Sequence, residues 1–241
     1  MGPILFAIFI LGMLVGIPIA FAIGVATVFT LPVMTTISSL VIPQRMYTSL
    51  DSFTLLAIPL FILAGNLMET GGISQRLVAL ANVLVGRIRG GLGLTVIVST
   101  IFFSGLSGSS NADTAAIGSV TIPPMLKKGY PRPLTAAIVA AAGGTGILIP
   151  PCINMILYAV IANVSIGGLF AAGFLPGFVM AASILVLTYV TACKMKLPTE
   201  APVSCGEAAR VGLHAILPMM MPVIILGGIL GGIFTATEAA G

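Results

Sequence analysis

The chain has 241 residues, 58% of them hydrophobic and only 7% charged, with a formal net charge of +4. A soluble globular domain is about one quarter charged, so the composition excludes one, together with disordered, collagen-like and disulfide-scaffold classes. It predicts an all-α polytopic membrane protein, whose 29 Gly and 16 Pro are tolerated at membrane depth only where neighbouring helices or cavities satisfy the backbone they free.

A span needs about 20 apolar residues, and Pro3 to Thr30 reads as the first. Its Ala20-Phe21-Ala22 resembles a signal-peptidase site, but no Lys or Arg precedes it and the apolar run continues to Leu31. It is therefore read as a retained span. Ser52 to Met68 is the second, closed by Glu69 and Gly71-Gly72. Ile73 to Gly86 is a shorter and more polar third.

Residues 90–126, between Arg89 and Lys127, form a 37-residue stretch whose only charge is Asp113. Two full spans and a turn need more than about 40 residues, and the middle, Ser107 to Asp113, is too polar for lipid. Arg87 and Arg89 before it, and Lys127, Lys128 and Arg132 after it, place both ends on the cytoplasmic side by the positive-inside rule. The spacing predicts a re-entrant helical hairpin whose apex stops inside the membrane, where irregular backbone must line a cavity or be buried in protein.

Pro133 to Asn163 follows as one crossing interrupted by the segment from Gly143 to Pro151. Its prolines lack the N–H a helix needs and its glycines favour non-helical angles, so two half-helices joined by an unwound segment are expected. Gly168 to Ala192 returns to the cytoplasm at Lys194 and Lys196. After the polar stretch Pro198 to Glu207, Ser204-x-x-Glu207 reads as a capping box. It opens a short interfacial helix carrying Glu207, Arg210 and His214 on one face. Ile216 to Phe234 is the last span, with Met219, Met220 and Met221 read as lipid-facing.

Charge counting leaves the direction of the first half open. If residues 73 to 86 cross, Arg76 is the one basic residue outside; if they lie flat, Arg45 takes that place. An internal echo, Gly12-x-x-x-Gly16 near the start and Gly228-x-x-x-Gly232 near the end, selects the crossing form. An inverted repeat requires its two copies to run in opposite directions. The chain then reads as one repeat and the beginning of a second.

A hairpin apex beside an unwound crossing is the sequence pointer to a secondary-transporter site. Half-helix N-termini present free N–H groups that hold an anion, while unwound carbonyls and hydroxyls replace the water shell of Na+. The oxygen-bearing candidates are Ser104, Ser107, Ser109, Ser110, Asn111 and Asp113 at the apex, with Thr145 and Asn154 in the crossing. Substrate binding is assigned to Ser109, Ser110, Asn111, Asp113 and Asn154. Sodium binding is assigned to Ser107, Gly108, Ser109, Gly143, Gly144 and Thr145. Small apex residues equally suit tight helix packing, and Asp113 equally suits a cap on the second arm. A charge at the bilayer centre costs about 2.5–3.5 kcal/mol, so Asp113 must be paired, hydrated, protonated or functional.

Other chemistry finds little support. Cys152, Cys193 and Cys205 have no ligand spacing and His214 stands alone, so no cofactor and no metal beyond Na+ are expected. A hydrolase needs Ser with His, or paired carboxylates, in one cavity; with His214 in the interfacial helix, the chain reads as no enzyme. Basic residues serve orientation, which leaves membrane lipid rather than nucleic acid as the surrounding partner.

The segments Ile58-Pro-Leu-Phe-Ile-Leu-Ala-Gly-Asn-Leu-Met-Glu-Thr-Gly-Gly72, Ser104-Gly-Leu-Ser-Gly-Ser-Ser-Asn-Ala-Asp-Thr-Ala-Ala-Ile-Gly118 and Gly146-Ile-Leu-Ile-Pro-Pro151 resemble the large membrane subunit of TRAP transporters. These are the tripartite ATP-independent periplasmic transporters, here of the dicarboxylate-type M subunit. Gly16-Ile-Pro-Ile-Ala-Phe-Ala-Ile-Gly24 and Gly232-Ile-Phe-Thr-Ala-Thr-Glu-Ala-Ala240 extend the resemblance over nearly the whole chain, although Ala236 stands where family members usually have Pro. The resemblance implies an inverted-repeat, elevator-type secondary transporter in a prokaryotic inner membrane. It implies import of organic acids with Na+, delivery of the organic-anion substrate by a periplasmic substrate-binding protein, and a small four-helix membrane subunit as partner.

In those terms residues 1–90 are scaffold-type transmembrane helices and 91–126 the re-entrant hairpin of the transport domain. Residues 127–166 are its broken transmembrane helix, 167–205 a transmembrane helix and cytoplasmic loop, and 206–241 an interfacial helix and the start of the second repeat. Because the family's subunit is much longer, the chain is expected to be truncated after its first repeat. The alternative is a non-transporting membrane scaffold or assembly subunit, in which Gly and Ser serve packing alone.

Overall fold

A computed structural model describes residues 2–200 and 203–241, with the backbone alone at Glu69 and Cys205. Residues 201 and 202 of the polar stretch 198–207 therefore lie outside the described residues. Among the described residues the secondary structure is helical throughout. The chain divides after Ser52 into two compact units.

The first unit holds α1 (Gly2–Leu14), α2 (Ile19–Met34) and α3 (Val41–Leu50). The single span expected from Pro3 to Thr30 is instead two helices. Gly16 takes φ +87°, its N–H reaches Met13 O and the Ile17 N–H reaches Gly12 O, each at 3.0 Å. That is a Schellman stop, which a left-handed residue after the helix makes possible. Pro18, without an N–H to lose, then opens α2. The two helices touch at Gly12, where an added Cβ would come within 3.2 Å of Ala22 Cβ. Ala22, Ala26 and Thr30 form the buried stripe of α2.

The second unit begins with a 3₁₀ turn, Phe53–Leu56, and α4 (Ala57–Thr70), which stops at Gly71-Gly72 as expected. It continues through α5 (Ile73–Val85), α6 (Gly91–Ser107), α7 (Ser110–Lys127), α8 (Arg132–Thr145), α9 (Ile153–Ala162), α10 (Ile166–Lys194), α11 (Cys205–Leu230) and α12 (Ala236–Ala240). Among the described residues α10 and the stretch Gly206–Leu230 of α11 are long and apolar enough to cross a membrane.

Helix α6 is the hub of this unit. It is buried almost all round, as expected of a helix without a polar face, and Val96, Ile97, Phe103 and Leu106 join Ile117 and Met125 of α7 and Ile138 and Val139 of α8 in one core. Its buried hydroxyls are satisfied locally. Thr100 Oγ1 donates to Val96 O at 2.8 Å and Ser99 Oγ to Thr95 O. Back-bonding of this kind lets polar residues enter an apolar interior without an orphaned donor.

Helix α5 is short and packs along the start of α11. Thirteen residues span only about 20 Å, against roughly 30 Å of hydrocarbon. Near its start, Arg76 shares a groove with Arg210 and His214 of α11. Just past its end, Gly86 O accepts the Glu200 N–H at 3.1 Å and Arg87 Nη2 donates to Val203 O at 2.8 Å. Both ends of α5 thus meet residues 200–214. Ser74, Leu77 and Ala81 make α5 amphipathic, with the buried stripe facing the protein.

The end of the chain departs from expectation as well. Ser204 Oγ accepts the Glu207 N–H at 3.2 Å, but the helix it caps is not short. The interfacial segment and the last span are one continuous α11, in which Met219 and Met221 pack against the core while Met220 is exposed. Helix α11 then stops as α1 does. Gly232 takes φ +69°, its N–H meets Ile229 O at 3.2 Å, and the Ile233 N–H meets Gly228 O at 2.8 Å. The weak echo in sequence is the same helix stop built twice.

Candidate functional site

The turn between α6 and α7 falls at Gly108 and Ser109. Gly108 takes φ +61°, a conformation glycine adopts without steric cost, and an added Cβ there would lie 2.9 Å from Pro151 O. Ser109 is extended and leads into α7 at Ser110. The unwound part of the second broken element runs from 146 to 152, with Pro150-Pro151 at its centre. Residues 143–145, expected to be unwound, form the last turn of α8. The prolines rather than the glycines set the break, because Pro also drives its preceding residue out of the helical region.

The two breaks meet. The Ile153 N–H, the first of α9, donates to Gly108 O at 3.2 Å. Around this contact lies a cavity of about 240 Å³ lined by Gly108, Ser109, Ser110, Asn111, Ile147, Ile153 and Asn154. The N-termini of α7 and α9 therefore converge on one polar hollow. A helix N-terminus carries partial positive charge and unpaired N–H groups, and two of them aimed at one space favour an anion there. Four of the five residues assigned to substrate, Ser109, Ser110, Asn111 and Asn154, come together in this wall.

Asp113 does not line the cavity. It is fully buried behind the first turn of α7, where Oδ2 lies 2.5 Å from Ser104 Oγ and Oδ1 accepts from Ser107 Oγ. Ser107 Oγ in turn accepts the Ser109 N–H at 3.1 Å. The carboxylate thus ties the two arms of the hairpin together and fixes the turn that supplies the cavity wall. It reaches back to α6 rather than capping only its own helix.

Of the residues assigned to sodium, Ser107, Gly108 and Ser109 form the turn itself. The last turn of α8 adjoins it through Gly143, whose backbone rests against Thr114 Oγ1 and lies near Ser110 O. Thr145 is buried and donates to Ala142 O at 2.6 Å. Gly144 points the other way, towards Met180 of α10. Gly146, not singled out from the sequence, packs directly against the acidic centre. A Cβ there would strike Asp113 Oδ2 and come within 2.9 Å of Ser104 Oγ. Its signal was present in the run Gly143-Gly-Thr-Gly146, where a third glycine marks close approach rather than flexibility.

Neighbouring elements hold the frame. Gly65 of α4 packs on Ser107, with an added Cβ 3.3 Å from its Cα, and a Cβ added at Gly105 of α6 would lie 3.3 Å from Pro222 Cβ of α11. Gly173 and Gly177 of α10 sit against the Leu148 carbonyl of the unwound segment.

Comparison with known proteins adds an independent line. The family described as tripartite ATP-independent periplasmic transporter, DctM component, matches residues 6–241. The chain is 41% identical over 238 residues to the C4-dicarboxylate TRAP transporter large permease protein DctM of Vibrio cholerae serotype O1, covering 98% of this chain and 52% of that protein. It is 41% identical over 242 residues to the isethionate TRAP transporter permease protein DctMQ of Oleidesulfovibrio alaskensis, covering 99% and 38% respectively. Against the 2,3-diketo-L-gulonate TRAP transporter large permease protein YiaN of Escherichia coli it is 37% identical over 231 residues, covering 95% and 54%. The chain spans about half the length, or less, of these relatives.

Proposed function

Because this chain belongs to the family of the DctM component of tripartite ATP-independent periplasmic transporters, we propose that it forms the first-repeat half of a secondary transporter importing small organic acids. The observation that carries this reading is the convergence of the α7 and α9 N-termini on the cavity walled by Ser109, Ser110, Asn111 and Asn154. An organic carboxylate accepts from N–H and hydroxyl donors there, and the two helix ends supply positive potential. The three relatives are named for a C4-dicarboxylate, isethionate and 2,3-diketo-L-gulonate, all small organic anions. The same class is proposed for this chain.

In this reading α6 and α7 form a re-entrant hairpin, and α8 and α9 are halves of one broken membrane crossing. Together they belong to a domain that moves in elevator fashion against a scaffold. Na+ is the coupling ion, held by oxygen ligands from the turn 107–109 and the end of α8 at Gly143 and Thr145. The partners are a small four-helix membrane subunit and a periplasmic binding protein that delivers the substrate, with the assembly in a prokaryotic inner membrane. The chain acts as a transporter component and not as an enzyme.

Uptake by the complete assembly in proteoliposomes, with and without an imposed Na+ gradient, tests the proposal. Accumulation that depends on the gradient is expected. Accumulation indifferent to it removes the coupling, and an assembly that transports normally with Ser109 and Asn154 both replaced by Ala removes the site.

A further inference from the structure

We propose that Ile147 makes the cavity at the two breaks selective for short organic acids whose carbon skeleton carries few hydroxyl groups. The inference rests on the reading of that cavity as the substrate site, and adds to it the side chain that sorts one acid from another.

The polar part of the lining is neutral. Ser109, Ser110, Asn111 and Asn154 supply hydroxyls and amides, and no charged side chain lines the hollow. Negative charge is met instead by helix ends left open. Among the described residues four helices have a hydroxyl residue at the N-cap, and Ser165, Ser204 and Thr235 each accept an N–H of their own helix. Ser109, which opens α7, does not. Nor does the Cys152 side chain close α9. The uncapped N–H groups and the four polar side chains are thus the donors that hold a carboxylate.

The apolar part of the lining is Ile147 and Ile153. Ile153 opens α9 and gives its amide to Gly108 O. Ile147 has no such duty. The other residues of the unwound segment 146–152 are committed to packing. Gly146 lies against Asp113, the Leu148 carbonyl against Gly173 and Gly177 of α10, and Pro151 O against Gly108. Ile149, Pro150, Pro151 and Cys152 are buried. Ile147 is 41% exposed and is the one member of the segment in the cavity wall. Its branched side chain is stiff and offers neither donor nor acceptor. A substrate methylene packs on it, whereas a substrate hydroxyl placed there gives up water without a replacement bond.

Succinate and tartrate test this, since they share one diacid skeleton and differ only in hydroxyl groups. The membrane part of the complete assembly, in detergent and without the periplasmic protein, is titrated with each acid while its thermal unfolding is followed. Half-maximal stabilisation is expected at a succinate concentration roughly tenfold below that for tartrate, within the range an apolar wall achieves against an added hydroxyl. Ile147→Thr keeps the branch and supplies a hydroxyl, and should narrow the gap by lowering the tartrate midpoint. Ile147→Val should preserve the gap, and melts without ligand confirm that both variants fold. Equal stabilisation of the unmodified assembly by the two acids, or by neither, overturns the proposal. So does a tartrate midpoint that Ile147→Thr leaves where it was. If Ser109→Ala with Asn154→Ala still abolishes stabilisation in that case, the cavity stands as the substrate site and only the role of Ile147 falls. Stabilisation that survives the double replacement removes the site, and the inference with it.

Discussion

Ser104 Oγ lies 2.5 Å from Asp113 Oδ2 and 2.7 Å from Thr100 O, so one hydroxyl proton faces two acceptors. An amide at position 113 resolves that competition, since it donates to Ser104 and still accepts from Ser107. Asp113→Asn should therefore fold as stably as the unmodified chain in a detergent melt while impairing uptake by the complete assembly. Asp113→Ala leaves the serines without their partner and should cost about 1–3 kcal/mol. Full uptake by the Asn variant would reduce Asp113 to a structural staple.

The two glycines at 144 and 146 make a matched pair. Gly146→Ala drives a methyl group into the Asp113 carboxylate and Ser104 and should cost about 1–3 kcal/mol, the range for overpacking. Gly144→Ala meets only Met180 Cε at 3.5 Å and lies within α8, where Ala is favoured over Gly by up to about 1 kcal/mol. Thermal unfolding should rank Gly144→Ala at or above the unmodified chain and Gly146→Ala clearly below it. The reverse order would contradict the packing described.

Single cysteines at Arg76 and Arg210, in a background without Cys152, Cys193 and Cys205, should react with a membrane-impermeant maleimide from the same side. Opposite-side labelling would instead support a crossing by residues 73–86.

Lys128 Nζ sits 2.6 Å from Glu200 Oε2, yet the pair is partly open to solvent. Such pairs contribute about 0–1 kcal/mol and are screened by salt. Glu200→Gln should lower the unfolding free energy by less than about 1 kcal/mol, with the difference shrinking as ionic strength rises. A loss several times larger would mean that Glu200 anchors the loop through more than this contact.

The turn at Gly108 was legible because polarity breaks an otherwise apolar 37-residue stretch, and the break before α9 because two adjacent prolines cannot continue a helix. The fate of Ile73–Val85 was not. Its apolar residues fit a short crossing and an amphipathic surface helix equally, and its contacts with residues 200–214 have no signature in the sequence. Gly16 hid in the first span for a related reason, since Gly and Pro at membrane depth signal a kink and a full reversal alike. Asp113 could be named from its depth. Its partners could not, because which serines face it depends on how the turn at Gly108 sets one helix against the other.

The bond from the Ile153 N–H to Gly108 O fixes the distance between the two helix ends with main-chain atoms alone. Short of proline at position 153, no substitution removes it, because every other residue carries the same amide. Ser109, Ser110, Asn111 and Asn154 are under no such restriction, and their side chains can be exchanged while the frame stands. A pocket framed by backbone and furnished by side chains can change what it recognises without having to refold.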